Sequence, residues 1–377
     1  MPLPYEGVRF ITDKQMVIFD VGSAYTKYGF AGEPNPRGII RSCVKMSMDV
    51  DPRNIHSYTN AEDLYQLLVE FFHILFFRQV MVSPKDSRVL ILESLLSPTQ
   101  FRDTLAKVLF QHFEIGSLIL LPGHLATIST LGINTALVLD VGYQGATLIP
   151  IYEGVPILKA WQSLPLGGQA IHQKIKKELE ALIPNINLSE NTIEDIKVRT
   201  CFVTTLERSL MFKEDGSLIP PPSVIYPGTR NFVIPGHIRE RVFEILWARD
   251  ADNLSIPTMI LDSLKQCPID TRHALAENIL LVGGTTMSKG FAARLKSELI
   301  NLLTSDLYSE KLKVQTFKFH TAPSKPNYTS WLGGAIFGVA NLPSRCITKE
   351  NYLQIKRVPD WANLMDNLKE DFSTCKV

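Results

Sequence analysis

The chain has 377 residues, 45% of them apolar, a length and composition that predict two or three folded domains with a large core. Its 39 lysines and arginines balance 38 aspartates and glutamates, which excludes a broad field steering it to nucleic acid or an anionic membrane, so binding has to come from shaped sites. The cysteines Cys43, Cys201, Cys267, Cys346 and Cys375 are odd in number and scattered, with no C-x-x-C pair. That points to a reducing compartment and away from a disulfide framework or a zinc site. The opening Met1-Pro2-Leu3-Pro4-Tyr5-Glu6 lacks a cationic start and an apolar h-region, and no stretch approaches the roughly 20 apolar residues of a membrane span. The expectation is a cytosolic or nuclear protein with no transmembrane segment.

The first element is the apolar run Val17-Ile18-Phe19-Asp20-Val21-Gly22, with a returning strand from Ala24 to Phe30. The pattern recurs as Leu137-Val138-Leu139-Asp140-Val141-Gly142, with a second run from Ala146 to Tyr152. Each copy predicts a β-hairpin with an acidic residue at the turn mouth. Glycine lets backbone N–H groups approach a ligand closely, and consecutive N–H groups form an anion-binding concavity. Two such turns predict a clamp on a phosphate chain. Asp-x-Gly after a strand is also ordinary turn chemistry, and it is the duplication with matched flanks that favours binding. Lys27 is placed to reach a phosphate held at the first turn; the alternative is a solvated strand lysine.

Arg37 to Thr59 is polar and irregular and reads as loop. Asn60 predicts a helix cap, with Asp63 three residues on and Leu64, Leu67, Leu68, Phe71 and Leu75 as one stripe, its Phe-Phe pairs read as core. Arg88 to Leu92 predicts a strand. Ser97-Pro98 then predicts a helix start with a capping serine and proline at the first position, and Phe101, Leu105, Val108 and Leu109 as its buried face. Leu118 to Leu121 predicts a strand and His124 to Leu131 a helix, and this alternation argues for a layered α/β domain. Leu166-Gly167-Gly168 leads into a helix bearing Ile171, Ile175 and Leu179, whose N-terminus is placed to meet a ligand; lysines 174, 176 and 177 read as solvated surface. Glu190 to Met211 reads as mostly helix, Glu214 to Gly236 as loops and short strands, and Pro235 as a helix start before Ile238, Val242, Ile245 and Leu246. Asn278 to Val282 predicts a buried strand ending in Gly283-Gly284-Thr285-Thr286-Met287, ahead of a helix carrying Phe291, Leu295 and Leu299. A glycine turn at the carboxyl end of a strand is where open α/β sheets bind ligands. Trp331-Leu332-Gly333-Gly334-Ala335 reads as a tightly packed helix start, and the charged tail from Lys349 as peripheral.

Asp20-Val21-Gly22-Ser23 with Lys27-Tyr28-Gly29-Phe30-Ala31-Gly32, Pro150-Ile151-Tyr152-Glu153-Gly154, Gly283-Gly284-Thr285-Thr286-Met287, and Tyr328 with Ser330-Trp331-Leu332-Gly333-Gly334 together resemble the actin family, nearly end to end. The resemblance implies a duplicated, ribonuclease-H-like α/β fold with two halves around a nucleotide cleft. It implies a first half of residues 1–136 and 325–377, its lobe around 37–60 shortened. The second half would be 137–324, with an insertion lobe at about 168–247. It further implies ATP or ADP with Mg²⁺ as cofactor. Asp20 and Asp140 match the carboxylates that hold the hydrated metal; Gly22, Ser23, Ala24 and Lys27 match the first phosphate loop, with Ala24 standing where actin has glycine. Gly168, Lys197, Gly283, Gly284 and Met287 match nucleoside contacts. Val198 replaces the ribose-binding glutamate, and Asn327 stands where actin has a lysine near the adenine.

Cleaving a γ-phosphate demands a water placed in line and polarised by side chains. At the family's positions for that work this chain carries Tyr143 in place of an aspartate, Thr147 in place of a histidine and Gly123 in place of a glutamine. The expectation is a structural subunit with little or no ATPase activity. The shortened stretch from Ile40 to Asn60 most resembles the actin-related members at the pointed end of the dynactin minifilament. That implies a cytoplasmic, cytoskeletal protein whose partners are actin-like filament subunits, other pointed-end subunits and, indirectly, dynein, with no direct nucleic acid. The alternative is a nuclear actin-related subunit of a chromatin-remodelling complex. A small-molecule kinase on the same fold is disfavoured, because no extra catalytic aspartate has a sugar-site context.

Overall fold

A computed structural model describes residues 15–46, 51–183, 186, 188–214, 218–227, 231–340 and 346–359. The opening Met1 to Glu6, Cys375, the end of the charged tail and residues 47–50 of the polar stretch lie outside the described residues. The chain divides into two compact units: one runs to Gly132 and resumes at Tyr328, the other is Ile133–Asn327.

The first unit is built on strands β1 (Val17–Val21), β2 (Tyr25–Phe30), β3 (Gly38–Arg41), β6 (Arg88–Glu93), β7 (Ser117–Pro122) and β16 (Ile347–Thr348), in the order β16-β7-β6-β1-β2-β3. The central strands are parallel, and β1-β2-β3 continue as antiparallel hairpins. Side chains alternate across a pleated sheet, and here both faces are apolar. Val17, Phe19, Val89 and Ile91 join one core, packed by helix α1 (Ala61–His73), by α2 (Thr99–Lys107) and by the π-helical turns Ile74–Val80 and Val108–His112 that extend them. Ile18, Leu90, Leu92, Ile119 and Leu121 join the other, under α3 (Gly123–Ser129) and α11 (Thr329–Val339). Asn60 caps α1 as its sequence predicts, accepting from the Asp63 N–H.

Four expectations in this unit are corrected. The stretch from Arg37 to Thr59 is not all loop: β3 extends the hairpin sheet, and β4 (Cys43–Val44) pairs with β5 (Arg53–Asn54). These strands, two to four residues long, are too short to show a period of two. Pro98, not Ser97, occupies the cap position of α2, with no side-chain cap bond. Phe71, Phe72 and Phe76 are core, but Phe77 is 49% exposed on the π-helical turn. The tail is docked in part, since α12 (Lys349–Ile355) buries Tyr352 against Phe110, ring centroids 4.6 Å apart.

The second unit repeats the plan. Its sheet runs β10 (Val155–Pro156), β9 (Ala146–Tyr152), β8 (Ala136–Val141), β14 (Ile279–Val282), β15 (Phe319–His320), with β11 (Gln162–Leu164) also on β9. As in the first unit, an antiparallel hairpin carries the Asp-x-Gly turn and a parallel strand lies beside it. Helices α4 (Gly168–Leu182), α5 (Glu190–Thr200), α8 (Ile256–Gln266), α9 (Ile269–Ala276) and α10 (Phe291–Leu303) supply its core with α7 (Gly236–Arg241). The helix expected from Glu190 to Met211 is broken at 201–205, before α6 (Leu206–Glu214). Hairpin β12 (Val224–Tyr226) and β13 (Phe232–Ile234) stands apart as a two-stranded sheet.

Candidate functional site

The first turn joins β1 to β2. Asp20 and Lys27 are opposed across the hairpin, and the Lys27 ammonium lies 2.9 Å from Asp20 Oδ2 with both side chains largely buried. Gly22 is required sterically, since a Cβ there would meet the Tyr25 carbonyl at 2.7 Å. The carbonyls of the turn are tied back one after another. Ser42 Oγ donates to Gly22 O at 2.5 Å, Asn54 Nδ2 donates to Ser23 O at 2.7 Å, and the Ser42 N–H donates to Ala24 O at 2.9 Å. Ser42 is fully buried, its hydroxyl 2.8 Å from that of Thr26. Asn54 has no rotational ambiguity in its role, because its Oδ1 accepts from the His56 N–H at 2.8 Å. The His56 ring stacks on Phe101; burial pushes its pKa down, and contact with the Gly22 backbone opposes that shift.

The second turn joins β8 to β9 and is braced by other means. Gly142 O accepts from the Gly168 N–H at 3.0 Å and from Thr285 Oγ1 at 2.8 Å, and Tyr143 O accepts from the Gln169 N–H at 2.7 Å. The N–H groups of Gly168 and Gln169 at the start of α4 are therefore spent on bracing the turn. Gly283, at φ +91°, lies where any Cβ would collide with Asp140 Oδ1 and the Val141 carbonyl. Only glycine lets β14 end against the aspartate.

Around Gly168 the structure gathers further residues. A Cβ on Gly168 would sit 3.5 Å from Thr285 Oγ1 and 3.6 Å from Lys197 Nζ. Lys197 is buried and donates to Glu194 Oε2 at 2.6 Å. His172 presents Nδ1 to Glu190 Oε2 at 2.8 Å and Nε2 to Glu194 Oε2 at 2.7 Å, while the Tyr143 hydroxyl donates to Glu190 at 3.0 Å. Burial alone would raise the Glu194 carboxyl, but the hydrogen bond from His172 and the Lys197 charge hold it down at about 2. Glu190 is also lowered, against the desolvation of partial burial, by bonds from His172 and Tyr143.

Each unit thus collects its own expected residues. Asp20, Gly22, Ser23, Ala24 and Lys27 form one turn. Asp140, Gly168, Lys197, Gly283 and Gly284 cluster at the other, while Met287 closes the adjoining 3₁₀ turn (Gly284–Met287) and is half exposed. Val198 points to solvent, 68% exposed. Tyr143 turns its hydroxyl to Glu190, Thr147 lies opposite Asp140 in the hairpin, and Gly123 opens α3. Sequence reasoning missed Ser42, Asn54, His172, Glu190 and Glu194. The first two sit in a stretch without periodicity; the last three read as ordinary helix polar residues.

Among the described residues no group of three or more His, Cys, Asp or Glu is arranged to hold a metal. Asp20 and Asp140 are each a single carboxylate at a strand end. A lone carboxylate is the kind of donor that suits Mg²⁺, which dehydrates reluctantly, takes few direct carboxylate ligands and can be held through its waters. No helix among the described residues is long and apolar enough to cross a membrane.

The family model for actin matches residues 59–200 and 185–355. The chain is also 28% identical to actin-related protein 10 of Dictyostelium discoideum over a 442-position alignment, covering 93% of this chain and 90% of that protein.

Proposed function

The chain belongs to the actin family, and on that premise we propose that it holds ATP or ADP with Mg²⁺ as a structural cofactor and caps the pointed end of dynactin's actin-like minifilament. The observation that carries the nucleotide reading is the repeated Asp-x-Gly turn with its carbonyls drawn back into its own unit in both copies. Backbone arranged in this way presents N–H groups to an anion. In this reading Asp20 and Asp140 hold the hydrated cation, and Ser23, Ala24 and Lys27 meet phosphate oxygens. Gly168, Lys197, Gly283, Gly284 and Met287 line the nucleoside. Mg²⁺ supplies charge neutralisation of the phosphates.

Hydrolysis is a different demand. Positioning and electrostatics supply nearly all of the catalysis of phosphoryl transfer, and Tyr143, Thr147 and Gly123 offer no carboxylate, imidazole or amide at the positions the family uses. The nucleotide is therefore a ligand that stabilises the fold by linkage. Denaturing the purified protein and chromatographing the supernatant should release adenine nucleotide near one per chain, and single-turnover phosphate release should be slower than that of polymerised actin. Absence of nucleotide together with no thermal shift on adding Mg-ATP would overturn the binding reading. For the capping role, proteins recovered from a native extract should be dynactin and dynein components; a remodeller ATPase and chromatin in their place would overturn it.

A further inference from the structure

We propose that Ser42 and Asn54, neither of them a ligand contact, aim the first turn at its anion. In a trans peptide the carbonyl of one residue and the N–H of the next point in opposite directions, and among the described residues there is no cis bond. Pinning Gly22 O to Ser42 and Ser23 O to Asn54 therefore sends the N–H groups of Ser23 and Ala24 together to the opposite side. Among the described residues neither of those N–H groups has an acceptor. Lys27 adds a charge beside them, its Nζ 3.7 Å from where a Gly22 Cβ would lie. Two convergent free amides next to an ammonium make an anion nest.

The pins are themselves held. Asn54 follows Arg53, whose guanidinium donates to both oxygens of Asp63 at 3.0 and 2.8 Å, so β5 is fixed to the first turn of α1. The Asn54 amide is oriented by the His56 N–H on its oxygen, leaving only the nitrogen to face Ser23 O. Asn54→Asp is therefore close to isosteric. It keeps the bond from His56 and sets a carboxylate oxygen against the Ser23 carbonyl, so that the peptide is pushed out of register with the nest.

This rests on the proposed nucleotide reading and adds the residues that position the phosphate loop. The test measures binding of Mg-ATP, Mg-ADP and adenosine to the full chain after nucleotide exchange, by displacement of a fluorescent ATP analogue. One lost hydrogen bond is worth about a fivefold change. Ser42→Ala and Asn54→Ala should each weaken ATP and ADP by about that factor and Asn54→Asp by more, with adenosine binding unchanged. Thr348→Ala removes the cap of α12, which bonds neither to the turn nor to β4 and β5; it should lower the melting temperature without changing any affinity. Equal loss of adenosine and ATP affinity in the Asn54 variants, or affinities that track melting temperature across all four variants, would overturn the proposal and leave Ser42 and Asn54 as structural residues. If the wild type binds none of the three ligands, the nucleotide reading fails first, and that outcome is distinct from wild-type binding that the variants do not alter.

Discussion

Glu194 joins two side chains at once, Lys197 of its own helix and His172 of α4. Its Oε2 accepts from Lys197 at 2.6 Å and lies 2.7 Å from His172 Nε2, and Lys197 Nζ is itself 3.3 Å from that ring nitrogen, so the carboxylate ties α5 to α4 at a buried place. The folded pKa of about 2 lies below the ordinary 4.5. A depressed carboxylate contributes stability that is fully present above the unfolded value and is lost as pH falls through the folded one, here between pH 4.5 and about 2. Glu194→Gln should therefore lower stability at neutral pH by about 2 kcal/mol and flatten the acid limb in that window, as measured by thermal melts from pH 7 to pH 2. A parallel acid limb in wild type and variant would refute the assignment. Lys197 was legible in the sequence as a matched position. Its burial was not, because that depends on His172 of another helix and on a glutamate that looks, in α5, like any solvated residue.

At the scale of elements, both hairpins and both glycine turns were legible, since a short continuous apolar run ending in Asp-x-Gly and followed by a second strand-like run occurs twice with matched flanks. The braces were not. Ser42 and Asn54 act through single hydrogen bonds to backbone carbonyls, and no periodicity marks such residues. The break between α5 and α6 was equally hidden, since residues 201–205 contain no proline or glycine to announce it. Packing at α11 was read correctly in kind and can be graded in amount. A Cβ on Gly333 would collide with the carbonyl of Ala126 in α3, whereas one on Gly334 would meet only the tip of Leu92 at 3.0 Å. Backbone cannot give way as a leucine tip can. Gly333→Ala should cost about 1–3 kcal/mol. Gly334→Ala should be nearly neutral, its crowding offset by the roughly 0.5–1 kcal/mol that alanine gains over glycine within a helix. Hydrogen exchange across α3 and α11 would check this, and equal protection loss in the two variants would contradict it.

At the scale of the molecule, the capping proposal turns on how the chain spends the stretch from Arg37 to Asn60. In the filament that the family resemblance implies, each subunit offers a receiving surface at one end and an inserting lobe at the other, a heterologous contact that propagates without closing. Several residues of the described part of the corresponding stretch are committed to their own unit. Val44 and Ile55 are buried in the core of their own unit, Ser42 and Asn54 hold the turn, and Arg53 is committed to Asp63. The segments the resemblance assigns to the receiving side are intact in order: Tyr328 to Gly334 opens α11, with Trp331 fully buried, and Leu131 to Thr135 precedes β8. A subunit that receives but does not insert ends a filament. Seeded growth of dynactin's actin-related filament, with the two ends distinguished by fluorescent label, should stop at pointed ends on addition of this protein while barbed ends continue. Arrest at barbed ends, or at neither, would count against the model. Grafting an actin-like loop into the stretch from Lys45 to Tyr58, with Asn54 kept in place, supplies the converse. If the shortened lobe is the cause, the graft should restore pointed-end growth, provided Asn54 and its bond to Ser23 are retained so that nucleotide binding is unaffected.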